Sequence, residues 1–560
     1  MNTDNLSFPQ FPSRESLTIE FKSDPKSGLP DKVVVETVVG LANAEGGTLY
    51  VGINDDGIVS GVRTPRWHDP DLAAAYIASH TIPPVAVVAE LVKAGEGLDV
   101  LVIEVSKATG IVATNDGKVL KRRLKIDKTP KTSPLFPQEF ISRLSEIGRC
   151  DYSAMILPNT TYGDLDNDER RRLRNFIRDN RGDSTLLELE DEDLDKALGF
   201  VHETPHGLLP TVAGLLLIGR KSSIRRLVPG AGAVFQHLSG TEVLANEEIE
   251  LPLLRSFDAL LDRFRARNTE VEITQDLVRI AIPTFSERAF REALVNAFCH
   301  RDYTLLNLVS VRFTDDGLEI NSPGGFVSGV DLNNLLTVEP HPRNALLADI
   351  LKRLGLAERT GRGIDLIFEG SLVYGRPAPD YSESNEESVR VFFPKCEADI
   401  NFFRLILDYQ KRTGKSIAIQ SLMVLSSVLF SKRLTFEGIV TATKLPANRL
   451  KRHVETLVED DGLLESKGNG SERDFILSSR FYKAQNREIE MVRQSGIDSV
   501  RNDELVMQLA REKGCITRAD VMQILGFEAQ PAYRLLRKLT DQGRLVREGG
   551  RRTSTYRAAE

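Results

Sequence analysis

The chain is 560 residues long, 41% hydrophobic and 27% charged, with a formal net charge of -7. Single hydrophobic cores seldom grow beyond about 250–300 residues, so three or four modules are expected. The acidic balance excludes a uniformly basic nucleic-acid coat but leaves room for local basic clusters. Cys150, Cys299, Cys396 and Cys515 have neither CxxC nor disulfide-like spacing. Residues 1–10 are mostly polar, and no later segment approaches the roughly 18 continuous apolar residues of a membrane span. A cytoplasmic protein with reduced thiols and no membrane anchor is the expectation.

Residues 13–145 alternate strand and helix patterns. Leu17 to Lys22 alternates, Lys32 to Ala44 has helical period, and Thr48 to Ile53 reads as a strand after Gly46-Gly47. Asp99 to Val105 is a further strand, followed by the basic run Lys118, Lys121, Arg122, Arg123, Lys125, Lys128 and Lys131. Such a run is either a solvated face or a nucleic-acid contact. The module is α+β.

Residues 165–200 read as charged helices, Pro210 to Gly219 as a buried strand, and Leu251 to Arg267 as a helix. Arg291 to Tyr303 then predicts a helix with Glu292, Asn296 and His300 four residues apart on one face. Ala293, Leu294, Val295, Ala297 and Phe298 pack the rest. Acid, amide and base in a row suit a nucleotide-phosphate and Mg²⁺ site, whereas the bland reading is a polar face meeting water. A strand pair turning at Asp315-Asp316-Gly317, a glycine-rich loop, a helix near Arg343 to Leu354, a second glycine-rich turn and a strand Val389 to Phe393 complete an α/β region at 150–395.

Two similar units follow, at 400–485 and 486–560. The first runs from Leu434-Thr435 through Pro446 to His453 and on to Gly462-Leu463; the second runs from Ile516-Thr517 through Pro531 to Lys538 and on to Gly543-Arg544-Leu545. Each reads as helix, turn, helix and hairpin, the layout of a winged helix.

Two motif strings are set aside. Gly214 to Ser222 has the outline of a P-loop, but Arg220 separates Gly219 from Lys221 and its interior is aliphatic. His202-Glu203-Thr204-Pro205-His206 has the HExxH zinc spacing, but Pro205 inside the turn breaks the required helix.

Three resemblances cover nearly the whole chain. Glu15 to Lys22, Leu41 to Gly57 and Gly61 resemble the Schlafen AlbA_2 domain, a family associated with nucleic-acid binding. Its ribonuclease branch implies a metal site, here at Glu15, Glu20 and Asp55 or Asp56, whose hard carboxylates would hold a divalent cation. The competing reading gives Glu20 and Lys22 the solvent face of a strand and makes Asp55-Asp56-Gly57 an ordinary turn. Pro210 to Gly219, Glu292 to Tyr303, Asn321 to Gly325, and Arg343-Asn344 through Glu358 to Ile364 resemble the divergent ATP-binding region labelled RecG-C-terminal-like, which is similar to the GHKL ATPase fold. That resemblance implies ATP and Mg²⁺ as cofactors, Glu292 as the base for attacking water, Asn296 as the Mg²⁺ ligand, and Gly324, Gly325, Gly361, Arg362 and Gly363 as backbone-rich loops at the nucleotide. The family's Asp-containing glycine loop stands here as Asn321-Ser322-Pro323-Gly324-Gly325, without the Asp that reads adenine.

The third resemblance, over 434–480 and 503–557, is to winged-helix transcription regulators. It implies nucleic-acid contacts by Arg449, Lys451 and Arg452 in one unit and Arg534, Arg537 and Lys538 in the other, with Arg551 and Arg552 in the second wing; Lys121, Arg122 and Arg123 would add a contact in the first module. A protein-binding winged helix is the alternative. The leading expectation is an α+β multidomain, ATP-binding, DNA-associated regulator: an AlbA_2 module, a GHKL-like sandwich and two winged helices, with RNA as a possible partner. A metal-dependent nuclease and a non-catalytic assembly scaffold are the rivals, and a homo-oligomer fits the related ATPases and half-site binding.

Overall fold

Valine-rich periodicity in Asp31–Ala42 produces α1, whose Val34, Val38 and Leu41 are fully buried. It connects the parallel strands Ile19–Lys22 and Gly47–Val51, so the chain begins with a strand–helix–strand unit. The computed structural model describes residues 11–559 except 96, 126, 128, 206, 276–277, 340, 358–360, 468–472, 480, 482–501, 526–528 and 549–553. Leu98–Val105 and then Val87–Gly95 extend the first sheet antiparallel to four strands. Helix α2, Pro70–Ser79, is capped by Asp69, and Trp67 just before it is fully buried beside α1 residues. The hairpin Leu120–Leu124 with Pro130–Pro134 and helix α3, Pro137–Glu146, lead out of this unit.

Helices α4, Asn167–Asp179, and α5, Asp191–Ala197, are charged, as their composition predicts. His202 lies in a strand, Val201–Thr204, that pairs with Gly207–Pro210, so the HExxH string forms no helix there; His206 lies outside the described residues. The run after Pro210 is a helix, α6, Val212–Ile218, and not the expected strand. A continuous apolar run fits either element, and Thr211 decides it by accepting from Gly214 N at 3.1 Å as a helix cap. Helix α7, Lys221–Leu227, follows.

The central sheet has five strands in the order Glu242–Ile249, Ala233–Ser239, Val309–Phe313, Gly317–Pro323 and Ser388–Pro394, with only the second and third parallel. The helices that contribute to the core around it include α8, Leu253–Arg265; α9, Glu287–His300; α10, Ala345–Arg353; and α11, Gly363–Leu372. Phe264 of α8 stacks on Phe290 of α9 with centroids 4.2 Å apart. Helices α9 and α11 approach so closely that a Cβ on Gly370 would lie 2.5 Å from Ala289 Cβ. Gly363 faces Glu292 and Asn296 further along α9, so the two helices run antiparallel and the start of α11 is held against the polar face of α9.

The C-terminal part contains α12, Ile400–Thr413; α13, Ile419–Ser431; α14, Phe436–Thr443; and α15, Ala447–Glu459, with a three-stranded sheet of Leu434–Thr435, Asp474–Leu477 and Leu464–Lys467. One connected set of buried side chains runs from Leu165 to Phe481. A separate cluster lies under α16, Asn502–Lys513; α17, Arg518–Leu525; and α18, Ala529–Asp541, again with a three-stranded sheet. The fold class is α+β, as the sequence predicts, and no helix among the described residues is long and apolar enough to cross a membrane.

Candidate functional site

Ser286 opens α9, its hydroxyl accepting from Ala289 N at 3.3 Å. From there the helix carries Glu292, Asn296 and His300 along one side, and all three line a cavity of about 290 Å³. Ile320, Ser322 and Val391 of the central sheet form a second wall, and residues 324–342 contribute Phe326, Val327, Leu335 and His341. Gly361, Gly363, Ile364 and Asp365 close one end, and Lys352 of α10 also lines the space.

The chemistry differs along this cavity. At the start of α11 no side chain caps the helix, and the first amide bonded back along it is that of Leu366, to Arg362 O at 3.1 Å. The preceding amides and the positive end of the helix dipole therefore favour an anion. Gly361 takes a positive φ of 76°, which favours glycine, and a Cβ on Gly363 would stand 3.1 Å from Glu292 Oε2, so the start of α11 lies close against that carboxylate. Burial raises the Asp365 carboxyl against the opposing pull of Arg362. The Asn296 amide has no hydrogen-bond partner among the described residues and, with the Glu292 carboxylate, brings a hard oxygen donor to this end.

Further along, burial lowers the His300 imidazole to about 4, with Arg343 and His341 adding to the effect, so the ring is neutral at ordinary pH. Burial pushes the neighbouring Cys299 thiol up to about 12. The structure sets His300 in the cavity wall. Tyr381 is a site residue that sequence reasoning missed: it lines the cavity, stacks on Phe368, and stands beside an acidic loop with no periodic signal.

Gly324 and Gly325 line the cavity, but their amides are not free for phosphate. Gly324 N donates to Glu387 O at 2.7 Å and Gly325 N to Glu386 O at 3.0 Å. Their lack of side chains serves close backbone packing, since a Cβ would meet Asp302 Cβ at one and Asn385 O and Glu386 O at the other, each at 2.8 Å. Both backbone N–H groups are thus used within the chain, while the two residues themselves line the cavity.

In the first unit, Glu20 is buried, not on the solvent face. It ion-pairs with both Lys22 and Arg122, while Glu15 Oε1 accepts from Phe21 N at 2.9 Å. Burial lowers the Lys22 ammonium, opposed by the charges of Glu15 and Asp55. Cations of the chain itself thus balance the expected metal-binding carboxylates, and no set of three metal-ligating groups gathers among the described residues. Asp55 and Asp56 are exposed in a turn in which Gly57 has a φ of 78°.

The expected basic contact at 121–123 is also corrected. Arg122 is only 1% exposed and donates to Ser16 O and Ile19 O. Arg123 binds Glu139 at 2.6 and 2.9 Å, and Lys121 pairs with Glu386 at 3.2 Å. On α15, by contrast, Arg449, Lys451 and Arg452 are exposed while Leu450, Val454 and Leu457 face inward. On α18, Arg534, Arg537 and Lys538 are exposed opposite buried Ala532, Leu536 and Leu539. Arg551 and Arg552 lie outside the described residues.

The family described as "Putative ATP-dependent DNA helicase recG C-terminal" matches residues 307–393, and "Schlafen, AlbA_2" matches residues 15–130. The chain thus combines a Schlafen AlbA_2 domain with a RecG-C-terminal-like domain of ATPase-like type. A domain of unknown function matches residues 142–232. Helix α9 precedes the first of these segments, so Glu292 and Asn296 join it through the fold. No curated protein matches. Among solved structures, the DIP2311 protein from Corynebacterium diphtheriae is similar at 20% identity and a TM-score of 0.49, over 97% of this chain and 95% of that one.

Proposed function

We propose that this protein is a nucleotide-binding regulator that associates with DNA, its central cavity holding ATP. The observation that carries the reading is the cavity itself: the uncapped start of α11 faces the Glu292–Asn296 side of α9 across Gly361 and Gly363. Backbone amides at Gly363 and beyond would take phosphate oxygens. The Asn296 amide oxygen would serve as the chain's ligand to Mg²⁺, which when bound neutralises phosphate charge. Glu292 stands where a carboxylate can orient water beside the terminal phosphate. The ATPase-family match at 307–393 supports the same assignment.

The exposed basic faces of α15 and α18 support the DNA part. Each helix belongs to a set of helices with a three-stranded sheet, four helices around α15 and three around α18, which fits the helix-turn-helix and hairpin expected of a winged helix, and each shows three cations on the side away from its core. The AlbA_2 module contributes a second route to nucleic acid, RNA included, by surfaces other than Arg122. Titration calorimetry with ATP and Mg²⁺ tests the central claim: binding is expected, and Asn296→Ala should weaken it at least tenfold. A wild-type protein that binds no nucleotide, or an Asn296→Ala variant with unchanged affinity, refutes it.

A further inference from the structure

Besides Asn296, two polar side chains in the cavity wall make no side-chain hydrogen bond among the described residues. The His300 ring makes no hydrogen bond to any described residue, its backbone carbonyl alone being used, by Arg343 Nε at 3.0 Å. The Tyr381 hydroxyl makes none either, although the residue is only 8% exposed. His341 shows what a structural histidine in the same wall looks like: its two ring nitrogens lie 3.0 Å from Glu339 O and 2.9 Å from Ser328 O.

Position separates His300 from the anion-favouring end, while Tyr381 joins the cavity from the strand side, stacked on Phe368 of α11. His300 lies eight residues beyond Glu292 on α9, about 12 Å at the ordinary rise per residue. The guanidinium beside it belongs to Arg343 and is committed to His300 O, Ser142 O and Gly325 O. That of Arg301 is committed to the carbonyls of Asp302, Leu305 and Asn307. A neutral imidazole offers one donor and one acceptor, and a phenol can do either. The surrounding wall is apolar, with Ile320, Phe326, Val389 and Val391.

We infer that His300 and Tyr381 are the base-reading residues of this cavity, taking the hydrogen-bonding edge of a heteroaromatic base while the phosphates lie at the Gly361–Gly363 end. The inference rests on the nucleotide reading above and adds to it the orientation of the ligand and the side chains that select it. Ser322 helps to fix which groups remain: its hydroxyl donates to Ala297 O at 2.6 Å, leaving only acceptor capacity toward the cavity. The base edge is therefore met by one acceptor-only oxygen and two groups able to donate.

The test is the affinity of full-length protein for ATP, GTP, CTP and UTP with Mg²⁺, by calorimetry. The wild type should prefer one base by at least tenfold. His300→Ala should weaken that nucleotide about tenfold and compress the ratio between bases to below about threefold. His300→Gln keeps a donor and an acceptor and should restore most of the ratio, while Tyr381→Phe, which removes only the hydroxyl, should reduce it. Asn296→Ala should weaken all four nucleotides by a similar factor and leave the ratio intact. A wild type without base preference, or ratios unchanged in both His300→Ala and Tyr381→Phe, overturns the inference while leaving the nucleotide reading in place. Failure of the wild type to bind any of the four overturns both.

Discussion

Gly325→Ala distinguishes a glycine kept for ligand contact from one kept for packing. The added methyl would stand 2.8 Å from both Asn385 O and Glu386 O, and 3.0 Å from Glu386 C. These are backbone atoms, so no side chain can swing away, and the 385–386 segment must shift. Overpacking of this kind costs about 1–3 kcal/mol. For a folded unit of about 150–250 residues that lowers the melting midpoint by about 2–12 °C. The displaced segment also carries Glu386, which pairs with Lys121 of the first unit at 3.2 Å. Far-UV circular dichroism follows the whole chain, and the single tryptophan, Trp67, reports on the first unit alone. The dichroism midpoint should fall, with a smaller change in Trp67 emission. An unchanged midpoint combined with a tenfold loss of ATP affinity would refute the reasoning, because it would mean that the Gly325 backbone serves ligand and not the closure against Glu386.

Arg122→Ala should destabilise the first unit by up to about 3 kcal/mol, because it leaves the buried Glu20 carboxylate with Lys22 as its one cation and removes three hydrogen bonds to carbonyls; Trp67 emission during urea unfolding measures this. Asp24 gives a pH signature: burial raises its carboxyl, but hydrogen bonds from Thr64, Arg63 and Leu29 outweigh that and hold it below the usual range. A carboxylate depressed in the folded state stabilises above its unfolded pKa of about 3.9 and loses that contribution as pH falls through the folded value. Acid unfolding followed at Trp67 should therefore steepen below about pH 4, and Asp24→Asn should flatten that dependence. Joint replacement of Arg449, Lys451 and Arg452 by Ala should weaken duplex DNA in a mobility-shift assay and reduce the salt slope by about 1–3, whereas an unchanged slope would place DNA elsewhere.

Periodicity made much of this legible from the residues alone. The Glu292, Asn296 and His300 stripe needed only the helical repeat, and the structure sets all three on one cavity. Pro210 to Gly219 misled because a fully buried helix and a buried strand share the same unbroken apolar run, although Thr211 stood at the cap position. Arg122 misled because a run of cations hides an alternation: in Leu120–Leu124 both Leu120 and Arg122 point inward. Its partners, Ser16, Ile19 and Glu20, are about a hundred positions away, so no local pattern announces them. Tyr381 was invisible for a related reason, since the wall it joins is assembled from segments between residues 292 and 391.

The same long-range assembly determines how the cavity connects to the rest of the chain. Helix α3 is bound on one side to the first unit, through Arg143 Nη2 to Ala108 O and through the Lys107–Glu146 pair at 3.1 Å. On its other side Ser142 bonds Asp302, and Glu146 O accepts from Ser328 N at 3.1 Å, within the segment that lines the cavity. Arg343 closes this circuit: buried at 4% exposure, it reaches the last residue of α9, the glycine loop and α3 with one guanidinium. A ligand that changes the position of His300 or Gly325 therefore acts on groups already bonded to α3. Such a ligand shifts the arrangement of the two units only to the extent that it binds one arrangement better than another. The cavity's contacts with α3 are the physical place where that difference would be felt.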